Sequence, residues 1–318
     1  MFYNSGMRIA QAIDDAVAFF HLFEHPLTTT ELWRTLRMDR GVSLWDVHHA
    51  LATDTELQER LRVEQGWIMR KDAPEDLVAR RQERLFWTDQ KYKKALRFVR
   101  WMRLFPFVRM VAIGNSLAFQ TTREHSDIDF FIVVERGHIW TVRFWLVIMA
   151  KLFRQRPQEG HLHDAHRPDA LCFVYFVTTD ALNLERTKTG EEDRYLEYWI
   201  THLRPVFDAD RWYRRFLEAN RWATNVFPNW TPVLPSHWRT VWPSSVFWIL
   251  QRLFEMMHRA VGTTVERVLK QWQMRILPDR LRAASLRPTA VLLSDQMLKF
   301  HENDRRTEIN AAWSALRQ

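Results

Sequence analysis

Asp127 and Asp129 stand two residues apart at the head of an apolar run, Phe130-Phe131-Ile132-Val133-Val134. On a strand, residues i and i+2 point to one face, so the two carboxylates share a side while Ile128 and Phe130 take the other. Like charges held that close beside a buried strand are costly unless a cation neutralises them. Mg²⁺ is the natural candidate, being hard, oxygen-seeking and accustomed to sharing its shell with phosphates. Upstream, Val111-Ala112-Ile113 reads as a strand that runs into Gly114-Asn115-Ser116. With only eight glycines in the chain, one placed at this turn is expected to take a positive φ or to admit a close backbone approach. Ser116 could offer its hydroxyl to a phosphate, alongside the N–H groups of a helix start. Asp127 follows it by eleven residues.

Taken together, the strand, the Gly-x-Ser turn, this interval and the Asp-x-Asp pair resemble the DNA polymerase β-like nucleotidyltransferase superfamily over Val108 to Val134. The chain is similar to bacterial stand-alone nucleotidyltransferase-domain proteins with a helical or winged opening, on Phe23-Glu24-His25-Pro26-Leu27-Thr28. A looser likeness extends to Leu171 to Phe176 and to Leu298 to Arg306. The resemblance implies Mg²⁺ on Asp127 and Asp129, and a nucleoside triphosphate held at Gly114, Asn115, Ser116 and Ser126. It implies transfer of a nucleoside monophosphate to a hydroxyl acceptor. Active members usually carry a third carboxylate on a later strand, yet Ala170 to Val177 contains no acid. Asp169, just before that strand, is the first substitute, and Asp164, beside His163, is the second. The alternative is a degenerate relative that binds nucleic acid or a protein without catalysis.

The elements that would position these residues form an α+β chain. Residues 1–75 are expected to make a winged-helix-like unit. Ile9, Ile13, Ala16, Val17 and Phe20 recur at helical spacing, and Thr28 to Glu31 has the form of a capping box. A third helix opens at Ser43, with Leu44, Val47 and Leu51 inward, and Gly66 turns a hairpin between Leu61-Arg62-Val63 and Trp67-Ile68-Met69. Residues 76–107 form a connecting helix. Between Arg80 and Arg109 there are ten Lys or Arg against two acids, a surplus equal to the +8 of the whole chain. Tyr92, Leu96, Val99 and Met102 give that helix an apolar face, and its charges either meet solvent or line a cleft for a polyanion. Residues 108–180 are the small mixed-sheet core, with strands at Val108 to Ile113, Ile128 to Val134 and Ala170 to Val177 and a helix at Ile139 to Phe153. Residues 181–318 read as mainly helical, closing on a helix from Asp295 to Leu316.

Composition narrows the class. Apolar residues make up 47% of the 318, including 16 Trp and 21 Phe, which excludes a largely disordered chain. The charge of +8 makes an anionic partner plausible, nucleic acid included. No apolar run is long enough to span a bilayer. The lone Cys172 sits in an apolar run, and the opening residues lack a secretory signal, so a reducing cytoplasm is expected. His161-Leu162-His163-Asp164-Ala165-His166 matches no strong zinc spacing and reads as a polar loop. Near the end, Arg305 and Arg306 could reach a triphosphate or an acceptor.

Overall fold

The computed structural model describes residues 3–153, 169–232, 237–242, 245–258, 262–285, 291–300 and 304–316. The chain opens with α1 (Tyr3–His21), β1 (Leu27–Thr28), α2 (Thr29–Thr35), α3 (Leu44–Thr53), α4 (Thr55–Arg60), β2 (Leu61–Glu64) and β3 (Trp67–Arg70). The three strands pair antiparallel in the order β1-β3-β2. Local chemistry sets these boundaries. Thr28 and Glu31 exchange the two bonds of a capping box at 3.2 and 2.9 Å, and Ser43 and Asp46 repeat it on α3 at 3.1 and 2.7 Å. Each cap is worth about 1 kcal/mol. Gln65 and Gly66 both have positive φ, as a two-residue hairpin turn requires. Val47 is buried as expected, whereas Leu44 is exposed in the first turn of α3.

Next come α5 (Leu77–Met102), β4 (Val108–Ile113), α6 (Asn115–Ala118), β5 (Ile128–Val134), α7 (Ile139–Leu152) and β6 (Leu171–Thr178). The remainder is α8 (Arg194–His202), β7 (Arg204–Asp208), α9 (Trp212–Ala219), α10 (Arg221–Thr224), α11 (Ser245–His258), α12 (Gly262–Ile276), α13 (Asp279–Ala284), β8 (Val291–Leu293), β9 (Met297–Phe300) and α14 (Arg306–Ala315). This mixed α+β chain thus has an N-terminal helix and strand unit and a mainly helical C-terminal region. That last region also supplies three strands to the main sheet, whose order is β7-β4-β5-β6-β9-β8. Only β5 and β6 run parallel among the described strands. The single helix expected over Asp295 to Leu316 is therefore corrected. Met297–Phe300 pairs with β6, and the helix begins at Arg306. The His161 to His166 cluster, with Asp164, lies outside the described residues.

Both faces of the sheet are covered, which is why β4 and β5 read as near-continuous apolar runs. On one face, Met110, Ala112, Phe131, Val133 and Val177 belong to a core shared with α8 and the N-terminal unit. There Tyr198 packs on Phe19 with ring centroids 4.3 Å apart, and its hydroxyl donates to the Thr35 carbonyl at 3.2 Å. On the other face, Val111, Ile113, Phe130 and Ile132 pack with Tyr92, Leu96 and Val99 of α5 and with α7.

Much of the basic stripe on α5 is engaged inside the protein. Arg81 is buried and donates to Glu31 at 2.9 Å, to the Gln120 carbonyl at 2.9 Å and to His25 Nδ1 at 3.1 Å. Arg84 donates to the Glu24 carboxylate at 2.6 Å, and Arg80 reaches the same residue at 3.1 Å. These bonds clamp the Phe23 to Thr28 segment and α5 to the loop that follows α6. Burial and the neighbouring Arg81 guanidinium hold His25 well below the ordinary histidine range, so it stays neutral and accepts.

Candidate active site

Gly114 and Asn115 divide between them what the turn requires. Gly114 continues the strand in an extended conformation (φ −121°), and its N–H donates to the Asp129 carbonyl at 3.0 Å. The positive φ expected of Gly114 falls instead on Asn115 (φ +48°), a residue type that tolerates the left-handed region. A Cβ on Gly114 would meet Trp199 and Leu203 at 3.5–3.6 Å, an ordinary contact. The turn gains its fixed shape from the Asn115 side chain. Its Oδ1 accepts from Trp199 Nε1 at 2.9 Å, which leaves its amide to donate to the Asp129 carboxylate.

Asp129 is the most perturbed acid of the site. Burial, and then the charge of Asp127, push its carboxyl from 3.8 up to about 7, while hydrogen bonds from Asn115 and Cys172 pull the other way. The ladder explains the thiol. In the parallel pairing of β5 with β6, Asp129 lies opposite Cys172. The neighbouring-strand position beside Asp129 therefore holds a sulfhydryl. Asp127, just ahead of β5, is partly buried on the same approach.

Asp169 sits beside this end of the sheet but is committed elsewhere. Its carboxylate accepts from Lys91 and, at 3.1 Å, from Lys94. Burial alone would raise its pKa, but the two ammonium groups outweigh that and lower it. Lys91 is itself 1% exposed and also donates to the carbonyls of Glu124 (2.7 Å) and Ser126 (2.8 Å). It thus ties Asp169 to the loop that delivers Asp127. Ser126 serves the same loop, its hydroxyl accepting from the Arg123 N–H at 2.9 Å. The Ser116 carbonyl accepts from Thr121 N–H at 2.8 Å, and its side chain is partly buried in α6.

A cavity of about 230 Å³ begins at Asn115 and is walled by Phe23, Tyr195, Trp199, Lys299 and Arg306. Its floor is a buried ionic lattice. Arg306 donates to Asp193 and to the Thr187 carbonyl at 2.8 Å each and to Asp304 at 2.7 Å, and Lys299 donates to Asp304 at 2.8 Å. Burial would raise Asp304, yet the bonds from Arg306 and Lys299 hold it well below the usual carboxylate range. Arg306, expected to reach toward a phosphate, is thereby committed to the wall, and Arg305 pairs with Glu308 at 3.0 Å. Tyr195 is pushed up by burial and then by the charge of Asp129.

The structure thus brings Gly114, Asn115 and Asp129 together and sets Asp127, Ser126 and Asp169 around them. Cys172, Tyr195, Trp199 and Lys299 join the site without having been anticipated. For Cys172 a signal existed, since a strand pairing that aligned the two apolar runs would have placed it beside Asp129. Among the described residues, no group of three or more His, Cys, Asp or Glu is arranged to hold a metal ion. Asp127 and Asp129 alone do fit Mg²⁺, which commonly takes one or two carboxylates and completes its shell with water and phosphate oxygens. Comparison with known protein families, curated proteins and solved structures gives no match to this chain.

Proposed function

We propose that the chain is a metal-dependent nucleotidyltransferase, taking a nucleoside monophosphate from a nucleoside triphosphate to a hydroxyl acceptor. One observation carries this reading. Two carboxylates lead the central strand, one of them driven toward neutrality by burial against the other, beside a turn and a cavity. Such a pair is unfavourable in an empty site and becomes favourable when a cation arrives. Asp127 and Asp129 would hold Mg²⁺, whose contribution when bound is to neutralise phosphate charge and orient the reacting phosphoryl group. Asn115 fixes the Asp129 carboxylate through its tie to Trp199. Gly114, Ser116 and the neighbouring backbone offer the surface for phosphates, and Tyr195 and Trp199 line the space beside them. The N-terminal unit is winged-helix-like in its order of helices and hairpin. We assign it a packing role, because its exposed α3 face carries Trp45, His48 and His49 and no Lys or Arg. A lone free cysteine suits a reducing cytoplasm, and no described helix is long and apolar enough to cross a membrane.

A second reading is favoured by Cys172 and Asp169. With a thiol beside Asp129 and Asp169 bound to two lysines, a nucleotide could be held without being transferred. Calorimetry with each nucleoside triphosphate, with and without Mg²⁺, tests binding. Release of pyrophosphate tests transfer. Metal-dependent binding lost in Asp127→Asn, with pyrophosphate formed, supports the enzyme. Binding without pyrophosphate across protein, RNA and small hydroxyl acceptors supports the second reading, and absence of metal-dependent binding overturns both.

A further inference from the structure

α7 and α12 pack on each other, and their outer sides, like that of α11, carry large apolar side chains exposed to solvent. On α12, Val268, Trp272 and Ile276 lie at i, i+4 and i+8 and are all exposed, from 47% to 58%. The adjacent stripe holds Arg267 and Arg275, also exposed. On α11, Ile249, Leu253 and Met256 repeat at i, i+4 and i+7, again exposed, with Trp248 and Arg252 alongside. On α7, Trp145 and Leu152 face out, with Lys151 between them in the chain and exposed.

These helices have conventional inner faces, so the apolar outer face is not a helix turned inside out. On α11, Gln251 donates to the carbonyls of Arg103 (2.6 Å) and Phe105 (2.9 Å), and Glu255 accepts from Arg109 at 2.8 Å. Glu266 of α12 accepts from the N–H groups of Trp140 (2.8 Å) and Thr141 (2.9 Å), and Gln273 donates to the Trp140 carbonyl at 2.8 Å. Phe107 stacks on His138 at 3.6 Å and joins the two anchoring points. Glu255 and Glu266 are the only acids on these three helices, and both accept from inner partners. Glu255 also pairs with Arg252 at 3.4 Å, and Asp295, from outside the helices, pairs with Lys270 of α12 at 2.7 Å. The first acid beyond α12, Asp279, is exposed and paired with Arg282 at 3.5 Å.

We infer that this face docks on an anionic lipid surface, peripherally and without crossing it. Its chemistry is that of an interfacial helix pair: an aliphatic stripe to enter the acyl boundary, Trp to sit at headgroup level, and Arg flanking the stripe. The exposed acids at its border, Asp279 and Asp295, are each paired with a cation. Charge complementarity selects the occupant. A two-fold contact with a second copy would set cationic faces opposite each other. A nucleic acid would use the arginines and tryptophans, but it gains nothing from Ile249, Leu253, Met256, Val268 and Ile276, which offer no ring to stack on.

Co-sedimentation of the full chain tests this, with vesicles of phosphatidylcholine alone and of equal parts phosphatidylcholine and phosphatidylglycerol. The protein should pellet with the mixed vesicles only, and less at high salt. Arg267→Gln and Arg275→Gln should each weaken vesicle affinity about fivefold, the effect of removing about 1 kcal/mol of surface attraction per charge. Trp272→Ser should weaken it by at least as much. Arg267 and Arg275 are exposed, so thermal unfolding of their variants should match the parent and remove misfolding as an explanation. Trp272 also packs on Phe144 with ring centroids 5.5 Å apart, so its variant is compared with the parent below its own unfolding midpoint, with unchanged helix content by circular dichroism. Three results would overturn the inference: no pelleting, equal pelleting with neutral vesicles, or dimerisation in ultracentrifugation that Trp272→Ser abolishes. Tight binding of single-stranded RNA with the same mutational pattern and no vesicle binding would reassign the face to nucleic acid.

Discussion

Replacing Asp129 with Asn should make the metal-free protein more stable, and by an amount that grows with pH. In the folded chain, burial and Asp127 raise this carboxyl from 3.8 to about 7. In the unfolded chain it ionises near its ordinary value. Between pH 4 and 7 the folded state therefore binds the extra proton, so stability falls as pH rises through that window and levels off above it. The full penalty is about 4 kcal/mol, somewhat less because the side chain is only partly buried. Asn is nearly isosteric and does not ionise. Its carbonyl can accept from Asn115 and Cys172, and its amide can face Asp127. The advantage of Asp129→Asn over the parent should be about 2 to 3 kcal/mol larger at pH 8 than at pH 5, with every other titrating group cancelling in the comparison. Urea unfolding of both proteins at the two pH values measures it. Mg²⁺ with a nucleoside triphosphate should then reverse the order, stabilising the parent by linkage and leaving the variant unmoved. An equal advantage at both pH values, or a variant less stable than the parent throughout, would refute the account of Asp129.

Lys91→Met removes the ammonium that joins Asp169 to the carbonyls of Glu124 and Ser126. Denaturant unfolding should register a loss of about 1 to 3 kcal/mol, the cost of leaving the two carbonyls without their donor, because Asp169 is partly exposed and keeps Lys94 at 3.1 Å. Cys172→Asp puts a third carboxylate opposite Asp129 in the β5–β6 ladder. Under the transferase reading, it should tighten Mg²⁺-dependent nucleotide binding at least tenfold in calorimetry and raise pyrophosphate release.

The parts of this fold written in local chemistry were legible. Thr28 with Glu31 and Ser43 with Asp46 make the bonds their spacing implies, and the apolar runs at Val108 and Ile128 give strands with the expected limits. Tyr92, Leu96, Val99 and Met102 form the buried side of α5. What escaped were features owed to distant partners. Arg204–Asp208 and Met297–Phe300 are short segments that become strands because β4 and β6 offer unpaired edges. Lys299 is polar in sequence yet 4% exposed, compensated by Asp304. The fate of Asp169 depends on lysines on α5, far away in the chain, and no spacing rule could reveal it. Gly114 drew attention as the turn residue, while Asn115, able to adopt the left-handed conformation and bond Asp129 together, took the constrained position.

Because β9 covers the side of β6 away from β5, the order of synthesis has a consequence. A ribosome releases β4, β5 and β6 more than a hundred residues before Val291–Phe300 emerges. Through that interval β6, a run of Val, Phe and Tyr, is an open edge able to recruit a strand from another nascent chain. The wall containing Lys299 and Arg306 also comes last, so the cavity is completed only when the end of the sheet closes. Expression yield should therefore depend on how promptly Val291–Phe300 and α14 follow β6, and on any chaperone that shields β6 until they do.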